Sequence, residues 1–365
     1  MMKKTKTPNR VVVAMSGGVD SSVAAAVLRE QGYEVIGVTM NLFSLPKEVC
    51  RSENLKSCCG RKAQEDAHRV AIALGISHYV VDFRREFERT VIEDFSREYG
   101  RGRTPNPCIR CNQLIKFDLL LERARRLEAD HIATGHYAQV EFDPAVGRYL
   151  LKKGQDKDKD QSYFLYPLTQ AQLAKTLFPL AGLTKKEVRK IADTLALPVA
   201  QKEDSQEICF VPDRDYPKFL RERLPRAFRP GPILDVQGRV VGRHEGIIRF
   251  TIGQRRGMGI AAPHPLYVLS IDAEKNTIVV GKNEDLYRSR LEASDVNLIA
   301  FEKLSEPKAV LAKIRYKHAE AEAMIYPLDG GRVRVEFGKP QRAVTPGQAV
   351  VFYDGDTVVG GGIID

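Results

Sequence analysis

The chain alternates short apolar runs with longer stretches whose apolar residues recur at helical spacing. The runs at Arg10–Met15, Glu34–Met40, His78–Asp82 and His131–Thr134 have strand length, and helical patterns lie between and after them at Ala63–Leu74, Glu86–Tyr99 and Leu114–Glu128. Strand and helix in strict turn need crossover connections. This predicts an α/β fold with a doubly wound parallel sheet, whose ligand site lies beyond the carboxyl ends of the strands. The polar stretch from Gly154 to Asp160 reads as a loop, with helical pattern continuing to Leu195. Near Pro212–Asp215 the texture changes, and prolines and glycines cut the chain into short segments up to about Asn283. Beyond it, alternating runs at Ala309–Arg315, Ala321–Tyr326, Arg332–Phe337 and Ala349–Tyr353 are separated by Asp-Gly and Pro-Gly turns, which predicts an antiparallel β-barrel. The expected division is therefore 1–215, a small central domain at 216–284, and a barrel at 285–365.

Composition narrows the class without changing this outline. A length of 365 residues with 43% hydrophobic positions suits two or three packed cores. The basic start Met-Met-Lys-Lys-Thr-Lys is followed by an apolar stretch too short for a membrane span or signal peptide, so a cytoplasmic protein without a membrane partner is expected. The formal charge of +10 is uneven: from Arg214 to Arg256 eleven Lys and Arg face four Asp and Glu. A polyanion such as RNA is the natural partner for that segment, and a solvated basic face is the plainer alternative.

Candidate chemistry begins directly after the first strand, at Ser16-Gly17-Gly18-Val19-Asp20-Ser21-Ser22. Paired glycines let successive backbone N–H groups close round an anion, with Ser and Asp expected to cap the helix that follows. The Lys of the GxxxxGK[ST] loop is missing, so this is a different phosphate cradle. It resembles the PP-loop of ATP pyrophosphatases, which transfer AMP to a substrate oxygen and release pyrophosphate. Asp20 either caps the helix or approaches magnesium. A second signal is Thr104-Pro105-Asn106-Pro107-Cys108-Ile109-Arg110-Cys111-Asn112, a proline-stiffened loop delivering a Cys-x-x-Cys pair, whose thiols can tune each other's acidity, form a disulfide or share a metal. No second such pair follows at zinc-finger spacing. Cys209 on its own reads as an ordinary core cysteine, and Cys50, Cys58 and Cys59 as incidental thiols.

Taken together, the motifs resemble the tRNA-specific 2-thiouridylase family over nearly the whole length: SGGVDSS at 16–22, TPNPCIRCN at 104–112, ATGHYA at 133–138, KDQSYFLY at 159–166, DSQEICF at 204–210, TIGQRRGMGI at 251–260, TPGQAVVFY at 345–353 and GGGII at 360–364. The resemblance implies a PP-loop domain, a small central domain and a C-terminal barrel. It implies that ATP, with Mg2+, adenylates the C2 oxygen of the wobble uridine of tRNA, after which sulfur displaces AMP. By position it assigns ATP to Ala14, Met15, Ser16, Gly17, Gly18, Val19, Asp20, Ser21, Met40 and Gly135. It assigns tRNA contacts to His136, Lys159, Asp160, Gln161, Arg315, Tyr316 and Gln348, and the target base to Asn106, Pro107 and Cys108. In the family's persulfide scheme Cys209 carries the sulfur and Cys111 attacks it, leaving a Cys111–Cys209 disulfide. The donor would be a persulfide relay protein, a cysteine desulfurase or sulfide.

One departure bears on mechanism. Better-known members have Asp where this chain has Cys108. Cys108, Cys111 and Cys209 therefore offer a second route, as ligands of a 4Fe-4S cluster with one iron open to sulfide. Two rival functions share part of the pattern. A PP-loop synthetase acting on a small molecule would use SGGVDSS but has no need of the cysteine pair, and a non-catalytic RNA-binding protein leaves the phosphate loop without a role.

Overall fold

In the computed structural model, residues 9–44, 60–203, 208–211 and 215–365 are described. Cys50, Cys58, Cys59 and the first four residues of the DSQEICF motif lie outside them. By the density of its internal contacts the chain forms two units. The first comprises Met1–Thr90, Cys108–Phe210 and Asp356–Val358, and the second Val91–Pro107, Val211–Gly355 and Val359–Asp365.

The first unit is built on β1 (Arg10–Ala14), α1 (Val19–Glu30), β2 (Glu34–Asn41), α2 (Arg61–Leu74) and β3 (Ser77–Asp82). The chain continues through α3 (Arg84–Phe87), a π-helical turn Glu88–Ile92 and α4 (Glu93–Gly100), the last of which counts with the second unit. After α5 (Pro107–Arg110), a longer π-helix Cys111–Leu119 and α6 (Leu120–Arg126) come β4 (His131–Ala133), the hairpin β5 (Ala138–Asp143) and β6 (Arg148–Lys153), α7 (Gln170–Leu173), β7 (Thr176–Leu177) and α8 (Lys185–Thr194). The sheet order is β3-β2-β1-β4-β7, with each neighbouring pair parallel. Chain order therefore reverses between β1 and β4, and a doubly wound sheet opens its ligand crevice at that reversal. Val11, Val12 and Val13 are wholly buried, because a central parallel strand is covered on both faces and reads as an unbroken apolar run. Val11 and Val13 pack with Val23, Ala67 and Val188 from α1, α2 and α8, while α6 lies along β1 and β4.

The second unit has two β layers of its own. After α9 (Tyr216–Arg223), strands β8 (Gly231–Leu234), β9 (Val240–His244), β10 (Tyr267–Asp272) and β11 (Thr277–Gly281) form a sheet in the order β10-β11-β8-β9 around Ile233, Phe250, Val268 and Ile278. Then β12 (Tyr287–Leu298), β13 (Lys308–Lys313), β14 (Ala321–Pro327), β15 (Val333–Arg342), β16 (Ala349–Asp354) and β17 (Thr357–Ile364) follow in the order β12-β15-β14-β13-β16-β17. Pairing of β12 with β17, Ala293 opposite Ile364 and Leu298 opposite Gly360, closes them into a six-stranded antiparallel barrel. Inward residues alternate along the strands, as Val333, Val335 and Phe337 do on β15.

Three expectations need correction. The helix expected over Glu86–Tyr99 is two α-helical pieces joined through a π turn, and that over Leu114–Glu128 begins earlier as a π-helix. The strand expected to reach Arg315 ends at Lys313, so Arg315 and Tyr316 sit in the bend after it. Helix α1 starts at Val19, and its N-cap is Gly18, which makes no side-chain capping bond.

Candidate active site

The phosphate loop runs from β1 into α1 and is held from four sides. Gly17 has φ +67°, and a Cβ there would lie 2.3 Å from the Ala63 carbonyl oxygen, so α2 presses on the loop where only glycine fits. The Ser21 hydroxyl accepts from the Ser16 N–H at 3.1 Å and donates to the Gly18 carbonyl at 3.2 Å, which draws the two ends of the turn together. On the strand side, the Thr39 hydroxyl donates to the Met15 carbonyl at 2.8 Å. Because that proton is spent, His78 Nε2, 2.8 Å away, must be the donor to Thr39 Oγ1. Burial and nearby His68 push the His78 pKa down, so the imidazole stays neutral in this role. On the crevice side, a Cβ on Gly135 would lie 2.6 Å from the Asp20 backbone, so the segment after β4 rests directly on the first turn of α1.

Asp20 caps nothing. Its Oδ1 accepts from Tyr137 Oη at 2.8 Å and from Lys185 Nζ at 2.7 Å. The first-turn N–H groups of α1 thus keep no side-chain acceptor from Gly18, which suits a helix end meant for phosphate oxygens. Lys202 adds a further tie, donating to the Gly17 carbonyl at 2.9 Å and to Asp66 Oδ2 at 2.7 Å. Burial alone would raise the Asp66 pKa, but hydrogen bonds from Lys202 and Arg69 outweigh it and hold the carboxyl below its ordinary value. Sequence reasoning missed Tyr137, Lys185, Lys202 and Asp66. Only Tyr137 lay inside a quoted motif. Lys185 had a weaker signal, the capping box Thr184-x-x-Glu187 that fixes the start of α8 at that lysine.

The cysteines lie where the helix geometry is irregular. Pro107 opens α5 at a position where its missing N–H costs nothing, Cys108 follows and is exposed, and Cys111 opens the π-helix and is buried. Single-turn π geometry is often found at functional sites. Cys209 is half-buried, and the next residue, Phe210, sets its ring edge-on to Phe87 of α3 at 5.6 Å. Helix α3 in turn packs on the π-helix, so one apolar contact group joins the neighbour of Cys209 to the helix that Cys111 begins. Asn112 is 2% exposed, donates to the Phe164 carbonyl at 3.2 Å, and keeps its Oδ1 buried without a hydrogen-bond partner among the described residues. Among the described residues no group of three or more His, Cys, Asp or Glu side chains is placed to hold a metal ion, so Cys108, Cys111 and Cys209 are not gathered into one in this arrangement.

The remaining expected contacts divide between the units. In the first, His136 Nδ1 is 2.7 Å from Thr134 Oγ1 and its ring lies against Phe117 and Phe178. Burial, with Lys116 nearby, pushes its pKa well below the ordinary value. Asp160 is buried and accepts from the Gly154 and Ser162 N–H groups and the Ser162 hydroxyl, so it organises the loop. Gln161 Oε1 accepts from the Tyr137 N–H at 3.1 Å, Lys159 is half-exposed, and half-buried Met40 stands near the end of β2. In the second unit, Arg315 donates to the carbonyls of Ile252 and Ala343 and to the Thr345 hydroxyl, and Tyr316 has Lys313 Nζ 5.7 Å from its ring centre. Half-buried Asn106 precedes Pro107, and Gln348 donates to the Thr104 carbonyl at 2.7 Å.

Three family models match in succession: a tRNA methyl transferase HUP domain over residues 9–213, a tRNA methyl transferase PRC-barrel domain over 217–282 and an Aminomethyltransferase beta-barrel domain over 288–364. A tRNA-specific 2-thiouridylase MnmA of Symbiobacterium thermophilum is 55% identical over 98% of this chain and 92% of its own length. The chain belongs to the tRNA-specific 2-thiouridylase family. Members from Caldanaerobacter subterraneus subsp. tengcongensis and Acetivibrio thermocellus are 55% and 54% identical, covering 98% and 97% of this chain and 98% and 99% of theirs. Solved structures align more loosely: a 4-thiouridine synthetase–RNA complex with bound ATP reaches a TM-score of 0.36 at 16% identity over 60% of this chain and 50% of that one.

Proposed function

We propose that this chain is a tRNA-uridine 2-sulfurtransferase that uses ATP to activate the C2 oxygen of the wobble uridine and then replaces that oxygen with sulfur. The observation that carries the reading is the uncapped start of α1 behind left-handed Gly17, in a chain that also carries Cys111 at the head of the π-helix and Cys209 next to Phe210. A uracil carbonyl oxygen is a poor leaving group. Attack by that oxygen on the α-phosphorus of ATP releases pyrophosphate and leaves an O-adenylated base. The backbone donors of residues 16–21 would hold the departing pyrophosphate. Asp20 would hold Mg2+ through its Oδ2, since Oδ1 already accepts from Tyr137 and Lys185, and the ion would neutralise charge on the phosphates.

Sulfur delivery follows the two-cysteine route. Cys209 takes a sulfur atom from a persulfide-bearing donor protein. The Cys111 thiolate attacks the inner sulfur of that persulfide, a Cys111–Cys209 disulfide forms, and hydrosulfide leaves. Hydrosulfide attacks C2 and AMP departs, giving 2-thiouridine. Two electrons from a thiol reductant then reset the cysteines. Neutral His136 and the loop holding Lys159, Asp160 and Gln161 would line the tRNA side of the first unit, and Arg315 and Tyr316 that of the second. The division at 1–215, 216–284 and 285–365 is supported by the spans of the three matched models. A cytoplasmic place accords with the described residues, none of whose helices is long and apolar enough to cross a membrane.

The test is pyrophosphate release from ATP with and without an unmodified tRNA transcript bearing a wobble uridine. Release that requires the tRNA, followed by thiolation with a persulfide donor that is lost in Cys111→Ala and Cys209→Ala, is the expected result. Release without RNA would turn the reading to a small-molecule synthetase, and no release under either condition to a binding protein.

A further inference from the structure

The loop that leads to the target-base position is fastened to the barrel through Thr104, with Arg103 beside it. The Thr104 N–H donates to the Pro346 carbonyl at 2.9 Å, and its carbonyl accepts from Gln348 Nε2 at 2.7 Å. Both backbone groups of one residue are thus satisfied by one turn, Thr345-Pro346-Gly347-Gln348, in the manner of a rung in a sheet. The turn is itself fixed. The Gly347 N–H donates to the Ile364 carbonyl at 2.9 Å, and the Ile364 N–H donates back to the Gln348 carbonyl at 2.8 Å. Arg103 donates to the same Ile364 carbonyl at 2.9 Å. Gly347 has φ +88°, and a Cβ there would lie 3.0 Å from the Thr104 nitrogen and 3.1 Å from Arg103 Cβ, so the close approach depends on glycine.

We infer that Gly347 and Gln348 are positioning residues for the reaction: the barrel holds the base-receiving loop in register through Thr104. The inference rests on the function proposed above, and it differs from the tRNA contact that family resemblance gives Gln348. One of its two amide N–H groups is given to Thr104, which fixes the direction of the side chain. Two residues beyond Thr104 stands Asn106, and between and after them Pro105 and Pro107 each fix φ, while Pro105 also confines Thr104 to extended backbone. A displacement at Thr104 therefore passes to Asn106 and Pro107 with few torsions to absorb it. Misplacement of reacting groups by a fraction of an ångström lowers the rate of the chemical step and leaves binding of the remote substrate intact.

The experiment compares wild type with Gln348→Met, which keeps volume and removes the donor, and Gly347→Ala, in the full chain. Three quantities are measured: kcat for tRNA-dependent pyrophosphate release, the tRNA dissociation constant, and amide hydrogen exchange at Thr104. Gln348→Met is expected to lower kcat about tenfold with tRNA affinity unchanged within about twofold, on the scale of one lost hydrogen bond. Gly347→Ala should do the same and speed Thr104 exchange. A Gln348→Met enzyme with unchanged kcat and weakened tRNA binding would overturn the inference in favour of a direct RNA contact. Unchanged Thr104 exchange in both variants would overturn it as well. A wild type that releases no pyrophosphate with tRNA removes the proposed function instead, and the exchange measurement still decides whether the tie exists.

Discussion

A side chain at residue 17 would have to share space with the Ala63 carbonyl and adopt a left-handed backbone, which costs about 1–2 kcal/mol before any clash is counted. Gly17→Ala is therefore expected to raise the KM for ATP by about tenfold or more, read in steady-state pyrophosphate release. His136 makes a different prediction. Its folded pKa lies well below 6.5, so above about pH 6.5 neither state carries an extra proton and its contribution is complete. As pH falls below that value the unfolded chain takes up a proton that the folded chain refuses, and stability drops. Urea midpoints should decline between pH 7 and 5, and His136→Gln should decline less over the same range; equal slopes would remove His136 from the account. At this scale the strand-to-helix turn at SGGVDSS was legible because its bonds, from Ser21 to Ser16 and Gly18, are local. Lys185 and Lys202 were not, since Lys185 meets Asp20 across 165 positions and Lys202 meets Asp66 across 136.

Between elements, the Lys202–Asp66 pair joins the approach to Cys209 to α2 and to the phosphate loop. Asp66 is 5% exposed and Lys202 about a third exposed, so solvent screens the pair from one side. Lys202→Met should cost about 1–2 kcal/mol in urea unfolding, and adding Asp66→Asn should recover part of it by removing a buried carboxylate left with Arg69 alone. The sign with pH is that of a depressed carboxyl: its contribution is full above the ordinary carboxylate pKa and is lost only as pH falls through the lower folded value. Between pH 8 and 5 the clamp should not change. Element existence was legible wherever the period was clean, as in β1, β2, α2 and the four central barrel runs. The π segments were not, because Glu88–Ile92 and Cys111–Leu119 are too short for their wider i→i+5 turn to stand out as a period of its own. Nor was β17 legible, whose Gly360-Gly361-Gly362 breaks the alternation expected of a strand. Those glycines answer to a neighbour: a Cβ on Gly360 would lie 2.4 Å from the Asn297 carbonyl of β12.

For the molecule as a whole, the excess charge of +10 predicts an association with tRNA that weakens steeply with salt. Arg255 and Arg256, exposed in the turn after Gln254, are candidates for phosphate contacts. Replacing both with Ala should flatten the slope of log affinity against log salt by about 1–2, measured by titration at several ionic strengths; an unchanged slope would place the phosphates elsewhere. Three-part architecture was readable from texture alone, because βαβ alternation and turn-bounded short strands differ so plainly. A barrel was readable there too, but not the pair of strands that closes it, since pairing of β12 with β17 spans the whole C-terminal stretch. That closure also has a timing. β17 is translated after every other barrel strand, and its Ile364 carbonyl serves both Gly347 and Arg103. A nascent chain on the ribosome can fold its nucleotide-binding sheet early, yet the loop expected to receive the uridine can be set only when the final barrel strand has emerged. Synthesis order would then keep half-made chains from engaging their substrate.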